Sequence, residues 1–419
     1  MSAEPNPLIP VTDRTLRITV VLLFAAWFID YADRLIINLA LPGIGADLAL
    51  SRGQQGLLVS AFFLAYALCQ IPGGILTDRF GAHRVMSWAL VSWTLFTVLT
   101  GFAWSFALLI VVRFGFGVAE GVFPPAAMKT LVERTTPATR MGAYGLVMSS
   151  NSIAAVLCPL LIGPLIAVFG WRSAFFSTAA LGLVVVFLMR RWLPAPLPRT
   201  EPQQPVTRPP LRDMLRLWVL WRFAGIMFGY NMIAWGLITW APTYLTSERG
   251  LSLASAGALL AIPAVAAALA TVIGGRLSDR LRGQQRKVIV PGMTVAAIAL
   301  LLMPATASVT GFLVLGTLAI FAASLAYMPI FAVPLRGLPA ECVGVGSAII
   351  AVGGQLAGIV APPLIGLLSD HFSFVFAFAF LVLGAVVAAA LAILTPQDAE
   401  SFRAAIGVPA NSSLAQENS

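Results

Sequence analysis

The chain has 419 residues, of which 59% are hydrophobic and only 10% charged. Soluble domains average about 45–50% apolar and about 25% charged residues, so this composition excludes an ordinary water-soluble domain and points to a chain solvated by hydrocarbon. The formal net charge of +9 does not call for a nucleic-acid partner, because the basic residues gather in alternate loops between apolar stretches.

Residues 1–17 hold Glu4, Pro5, Pro7, Pro10 and Asp13 without an apolar run, which predicts a cytoplasmic tail and no cleavable signal peptide. Twelve apolar stretches of about 20 residues, the length that spans a bilayer as a helix, then begin near Ile18, Gln54, Val85, Phe106, Gly142, Ser173, Leu217, Ala254, Val288, Val309, Gly344 and Phe374. The expected fold is an all-α membrane protein with twelve transmembrane helices in two six-helix, pseudo-symmetric halves. The first half covers 18–190 and the second 217–395. Between them, 191–216 is too rich in proline and polar residues to fold alone and reads as a cytoplasmic linker; 396–419 reads as a cytoplasmic tail. Most of the 26 Lys and Arg fall on one side of this topology, including Arg134, Arg140, Arg190, Arg191, Arg282, Arg286 and Lys287, and only Arg52, Arg172 and Arg249 fall opposite. By the positive-inside bias both termini are cytoplasmic and the partner of the surface is the lipid bilayer.

Two repeats tie the halves together. GGILTDRFGAHR (Gly73 to Arg84) returns as GGRLSDRLRGQQRK (Gly274 to Lys287), 201 positions on, and PLLIG at Pro159 returns as PPLIG at Pro362, 203 positions on. Near-equal offsets predict parallel repeats related by an axis along the membrane normal, the plan of a transporter whose binding cavity lies at the midplane between the halves. In the first repeat Gly73 and Gly74 would let helices approach, Asp78 would accept hydrogen bonds from a helix amino terminus, and Arg79 and Arg84 would pair with acids or carbonyls; Asp279 and Arg280 are their counterparts.

Charges within the apolar stretches mark the candidate site. The first helix holds Asp30, Asp33 and Arg34 and the fourth holds Arg113 and Glu120; each costs at least ~2.5–3.5 kcal/mol at a membrane centre and normally faces a bundle interior or a wet cavity. Spacings of three and four place Asp30, Asp33 and Arg34 where all can share one helix face, and the seven residues from Arg113 to Glu120 do the same two turns apart. Three acids against two bases leave one negative charge uncompensated, a proton site in principle. The alternative is a fixed ion-pair network, a poor way to stabilise a fold. Polar or aromatic candidates for the cavity wall are Tyr31, Tyr66, Gln70, Asn151, Tyr230, Asn231, Trp235, Ser324, Tyr327 and Gln355, with Tyr31, Tyr66 and Gln355 foremost. Cys69, Cys158 and Cys342 lack CxxC spacing and read as buried small hydrophobes. His83 and His371 fall in predicted loops. There is no phosphate-binding loop for ATP and no GxSxG nucleophile, so no enzyme activity, cofactor or metal is expected.

The segments YADR (Tyr31 to Arg34), SAFFLAYALCQIPGG (Ser60 to Gly74), RFGFGVAEGVFPPA (Arg113 to Ala126), GWRSAF (Gly170 to Phe175), WAPTYL (Trp240 to Leu245), RGLS (Arg249 to Ser252) and LPAECVG (Leu338 to Gly344) resemble the major facilitator superfamily. Within it the chain is most similar to the anion:cation symporters of sugar acids, phthalates and other organic anions. The resemblance implies coupling protons at Asp33 and Glu120 and a substrate carboxylate at Arg34, with Arg113 among the substrate-binding candidates. It also implies that the repeated hinge latches the outward-open state. Asp30 departs from a common Asn and is read as a third proton site or as a clamp on Arg34. Gln355 replaces an Asn, and Met148 and Ser150 replace the Asn and Gly of an NSG run, which suggests a less hydroxylated substrate than the common sugar acids. The GPxxGG signature of drug:proton antiporters is missing. The implied protein is a monomeric inner-membrane importer of a small organic anion, coupled to protons rather than sodium; an exporter or exchanger, and a sensor that does not transport, are the alternatives.

Overall fold

The computed structural model describes residues 13–196, 211–281, 284–306, 308–339 and 342–406. Most of the expected linker, the ends of both expected tails, Arg282, and Ala340 and Glu341 of LPAECVG lie outside the described residues. Twelve long helical segments follow in order: α1 (Asp13–Asp47), α2 (Arg52–Phe80), α3 (Ala82–Gly101), α4 (Phe106–Val132), α5 (Pro137–Phe169), α6 (Trp171–Trp192), α7 (Trp218–Thr243, continued by Tyr244–Glu248), α8 (Leu253–Arg280), α9 (Arg286–Leu302), α10 (Val309–Gly337), α11 (Val343–His371) and α12 (Phe374–Leu394). Nine of these are long and apolar enough to cross a membrane, all but α1, α3 and α9, among the described residues. Several run beyond their apolar stretch, as α5 does by starting at Pro137 rather than near Gly142, because backbone bonding continues through polar interfacial turns whatever the side chains.

Two hydrophobic cores form, one from α1–α6 around Trp93, Phe116 and Phe123 and one from α7–α12 around Phe223, Trp240 and Phe378. Helix ends are set locally. Ser51, Ser105, Ser252 and Ser308 accept from backbone N–H groups at the starts of α2, α4, α8 and α10, and Gly81 and Gly170, at φ +88° and +79°, turn the chain sharply into α3 and α6. His83 and His371 stand inside the ends of α3 and α11 rather than in loops, since the turns there need one or two residues only. Cys158 and Cys342 are buried, but Cys69 is half-buried, with its Cβ against Gly121 of α4.

α10 is interrupted. It runs from Val309 to Ser324 and again from Tyr327 to Gly337, with Leu325 and Ala326 between. Pro329 lies four residues after Leu325 and has no N–H to offer the Leu325 carbonyl, so the helical bond is lost at the break. Its neighbour packs against the same place: Gly274 of α8 brings bare backbone against the Leu325 carbonyl. The first repeat is thus a helix-packing device. Gly73 sits where a Cβ would stand 2.7 Å from Cα of Val122 on α4, and Gly274 makes the matching contact with α10. Gly74, expected to help, has open space around it.

The halves meet through α2 with α11, α5 with α8, and α1 with α7. The bonds that join them lie at the end opposite the basic loops. Asp370 of α11 accepts from the N–H groups of Arg52 (3.1 Å) and Gly53 (2.8 Å) at the start of α2, while the Arg52 guanidinium reaches Glu248 (2.8 Å) and the Ser369 carbonyl (3.2 Å) and covers the Phe374 ring (4.4 Å). Nearer the centre, Pro363 has no N–H to offer the Ile359 carbonyl, and the Ser60 hydroxyl of α2 donates to that carbonyl instead. The second repeat closes this seal symmetrically. Gly56 of α2 rests on the Pro362 carbonyl and Gly257 of α8 on the Pro159 carbonyl, an offset of 201 again, while Gly163 and Gly366 touch the carbonyls of Leu253 and Arg52. At the basic end Gly142 and Gly145 of α5 and Gly344 of α11 have nothing within 4 Å of a Cβ position. The bundle is sealed at one end and parted at the other.

Candidate functional site

Gly117 and Gly121 of α4 explain how the site is assembled. With no side chains there, α4 lies directly on the α2 backbone at Phe62 and Tyr66. That contact delivers two aromatic rings beside Glu120, one turn along. From α1, Arg34 enters the same space: its Nε donates to Oε2 of Glu120 and its Nη2 to Oδ2 of Asp30, both at 2.8 Å, and its guanidinium lies over Tyr66 (4.4 Å) and Phe62 (5.7 Å). Charge-assisted bonds of this length are the strong class, and the stacked rings fix the plane of the fork. Asp30 and Glu120 are fully buried, whereas Arg34 keeps 10% of its side-chain surface. It is the exposed member of the cluster.

Asp33 belongs to a second cluster, contrary to the expectation of one shared face. Adjacent helical residues point about 100° apart, so Asp33 turns into the first half, where the Thr97 hydroxyl lies 3.3 Å from its Oδ2 and 3.0 Å from the Trp93 carbonyl. Arg113 is enclosed there too. At 1% exposure it donates to Thr100 (2.7 Å) and lies against the rings of Phe116 (4.5 Å) and Phe175 (5.4 Å), so it does not present itself to the gap between the halves as a substrate-binding residue would. Each buried acid retains an oxygen with no hydrogen-bond partner: Oδ1 of Asp30, Oδ1 of Asp33 and Oε1 of Glu120.

Tyr31 is half-buried beside Arg34, on the same helix. Across the gap, Trp235 packs edge-on against Phe63 at 4.7 Å and therefore contributes to the contact between halves. Asn231 donates to the Met227 carbonyl (3.0 Å) with its amide against Gly354, which commits much of it to packing α7 on α11. Oε1 of Gln355 and Oδ1 of Asn151 have no partner, and the Tyr230 ring stands 5.6 Å from that of Tyr327. Ser150 donates its hydroxyl to the Val147 carbonyl (2.6 Å).

The hinge residues pair within their own halves. Asp78 binds Lys129 of α4 (2.7 Å), not a helix amino terminus, and Asp279 binds Arg336 of α10 (2.6 Å). Among the twelve long helices it is the start of α2 that a distant carboxylate holds, that of Asp370 at the sealed end. Arg79 covers Phe80 (5.3 Å). Sequence reasoning missed Thr97 and Thr100, the partners of Asp33 and Arg113, and the Arg52, Glu248 and Asp370 group. The polar run at Ser51 to Gln55 and the Asp370 that ends α11 were the available signals.

Two six-helix halves, sealed at one end around a buried ionic cluster, define a secondary transporter by architecture. The chain belongs to the Major Facilitator Superfamily, whose family model matches residues 23–359 and 245–414. It is 29% identical over 418 residues to the hexuronate transporter of Bacillus subtilis (93% of this chain and 96% of the relative). It is 30% identical over 407 residues to the probable galactarate/D-glucarate transporter GarP of Escherichia coli K12 (88% and 91%). Against a probable sulfoacetate transporter of Cupriavidus necator it is 29% identical over 370 residues (82% and 85%). In fold it is similar to a bacterial homolog of the human lysosomal transporter Spinster, solved inward-facing and occupied, with a TM-score of 0.81 at 19% identity over 93% of this chain and 97% of that one. A D-xylose–proton symporter gives 0.74 at 14% identity over 91% and 98%.

Proposed function

We propose that the protein imports a small organic carboxylate together with protons across the inner membrane, as a monomer with cytoplasmic termini, by rocking its halves about the Arg34 site. The observation that carries this reading is Arg34 itself: a guanidinium partly open to the gap, held by two otherwise sealed acids. Its planar fork matches a carboxylate. An arriving carboxylate competes with Asp30 and Glu120 for the same donors, and each acid has an oxygen free to take a proton when its hold on Arg34 slackens. Asp33 takes a proton at its free oxygen in the neighbouring cluster. Sugar-acid and sulfoacetate relatives support an anionic substrate, and the arginine-rich end, read as cytoplasmic, makes this the cytoplasm-open state.

Proton entry offsets the work of bringing an anion into a negative interior, ~2.3 kcal/mol per charge per 100 mV. The test is uptake of labelled D-glucuronate into liposomes holding the purified protein. An inward proton gradient should drive accumulation, a protonophore should abolish it, and Glu120→Gln should lose accumulation while retaining exchange. Accumulation that ignores the gradient would refute the coupling.

A further inference from the structure

The two halves differ in a way that their shared plan does not require. The first half holds Asp30, Asp33, Arg34, Arg113 and Glu120 far from its helix ends. In α7–α12 no described Asp, Glu, Lys or Arg stands more than four positions from a helix end: Arg222 is four after Trp218, and Arg276 is four before Arg280. The gap between the halves therefore has a charged wall and a neutral one.

The neutral wall carries hydroxyl and amide groups, and they collect where α10 is broken. Ser324 and Tyr327 flank the interruption, and Tyr230 lies against Tyr327. Discontinuous helices are where transporters of this plan build substrate contacts. Trp235, on the same helix as Tyr230, packs on Phe63 of α2, whose ring is followed by those of Phe62 and of Tyr66 beneath Arg34. The helices of this wall, α7 and α11, thus meet α1 and α2, the helices that carry Arg34 and its rings. The fully buried Ser324 hydroxyl lies at that of Tyr230, and Oε1 of Gln355 has no hydrogen-bond partner. Buried polar atoms are normally paired, so the Gln355 oxygen is open to a ligand, with the Tyr230 and Ser324 hydroxyls available beside the break.

We infer that the substrate carries a single negative charge, its carboxylate on Arg34 and an uncharged hydroxyl- or carbonyl-bearing body against Tyr230, Ser324, Tyr327 and Gln355. This rests on the organic-anion reading above and narrows it. A second carboxylate at the far end of the molecule would shed its water against a wall without a cation, and an uncompensated buried charge is among the costliest groups a site can hold. Phenol and amide groups, by contrast, match a neutral polar body at little cost.

Matched pairs test the claim. D-gluconate and D-glucarate differ only in a terminal hydroxymethyl or carboxylate, and benzoate and phthalate differ by one carboxylate. Each compound is titrated against the purified full chain by ligand-induced melting shift and tested for uptake in liposomes. In whichever pair binds, the monocarboxylate should win by at least about tenfold in affinity. Gln355→Lys, which gives the neutral wall a cation, should narrow that gap, and Ser324→Ala should weaken the monocarboxylate without raising the dicarboxylate. A dicarboxylate that binds the wild type as well as or better than its partner overturns the single-charge claim and leaves the organic-anion reading intact. Transport of a cation or a neutral solute with no response to any of these acids overturns both.

Discussion

At the residue scale Arg34 joins substrate binding to the two buried acids. Replacing it by Lys keeps the charge but removes the planar fork that serves Asp30 and Glu120 together, so carboxylate affinity should fall by ~1.5–3 kcal/mol. Isothermal titration of wild type and Arg34→Lys, with melting temperatures alongside, measures this; unchanged affinity would remove Arg34 from the site, and loss of folded protein alone would make it structural. The i, i+4 spacing of Asp30 and Arg34 was enough to foresee their bond. The separation of Asp33 from Arg34 was legible only in part, because helix geometry turns neighbours apart but does not say which partner each will find. Thr97 for Asp33 and Thr100 for Arg113 come from α3, whose threonines carry no signal that distinguishes a buried donor from a helix-backbone hydroxyl. Arg113 was misread for the same reason: its spacing to Glu120 is right, but the rings of Phe116 and Phe175 that enclose it come from packing.

At the scale of helices, glycines and prolines decide how closely the halves approach. Gly56 and Gly257 occupy matching positions of α2 and α8, and a methyl group at Gly56 would stand 2.5 Å from the Pro362 carbonyl oxygen. That contact is with backbone, which cannot swing aside as a side chain would. Gly56→Ala and Gly257→Ala should therefore disfavour the sealed end and raise the population open there. Labelling rates of a cysteine placed at Ser60 report this directly, with faster labelling expected in both variants; equal rates would mean that the seal does not depend on these approaches. The twelve segments were readable from apolar runs of membrane length, since hydrocarbon enforces helix wherever it surrounds the backbone. Pro329 was an available signal for the break in α10, since it leaves the Leu325 carbonyl without a helical donor, whereas the packing of Gly274 of α8 against that carbonyl was not readable.

For the molecule as a whole, the two sequence repeats proved to have different duties. The hinge repeat packs α2 on α4 and α8 on α10, with Asp78 and Asp279 each paired inside its own half, so neither joins the halves in this state. The PLLIG and PPLIG repeat forms the seal between halves. Asp78→Asn should slow transport while leaving substrate affinity intact, because the residue lies far from Arg34 and acts on the balance between states. Affinity that collapses with the conformational balance unchanged would contradict this. Repetition at one offset disclosed the symmetry of the bundle, but not which copy serves which contact, since both carry small residues.

The central claim is that carboxylate and proton move together through the Arg34 and Glu120 site. Liposomes containing the protein and a trapped pH dye, with no initial pH or electrical gradient, are given external D-gluconate or D-glucuronate. The account predicts internal acidification that begins with substrate addition, scales with the protein present, and is absent in Glu120→Gln although that variant still exchanges substrate. Substrate entry with no change in internal pH, or acidification undiminished in Glu120→Gln, would contradict it.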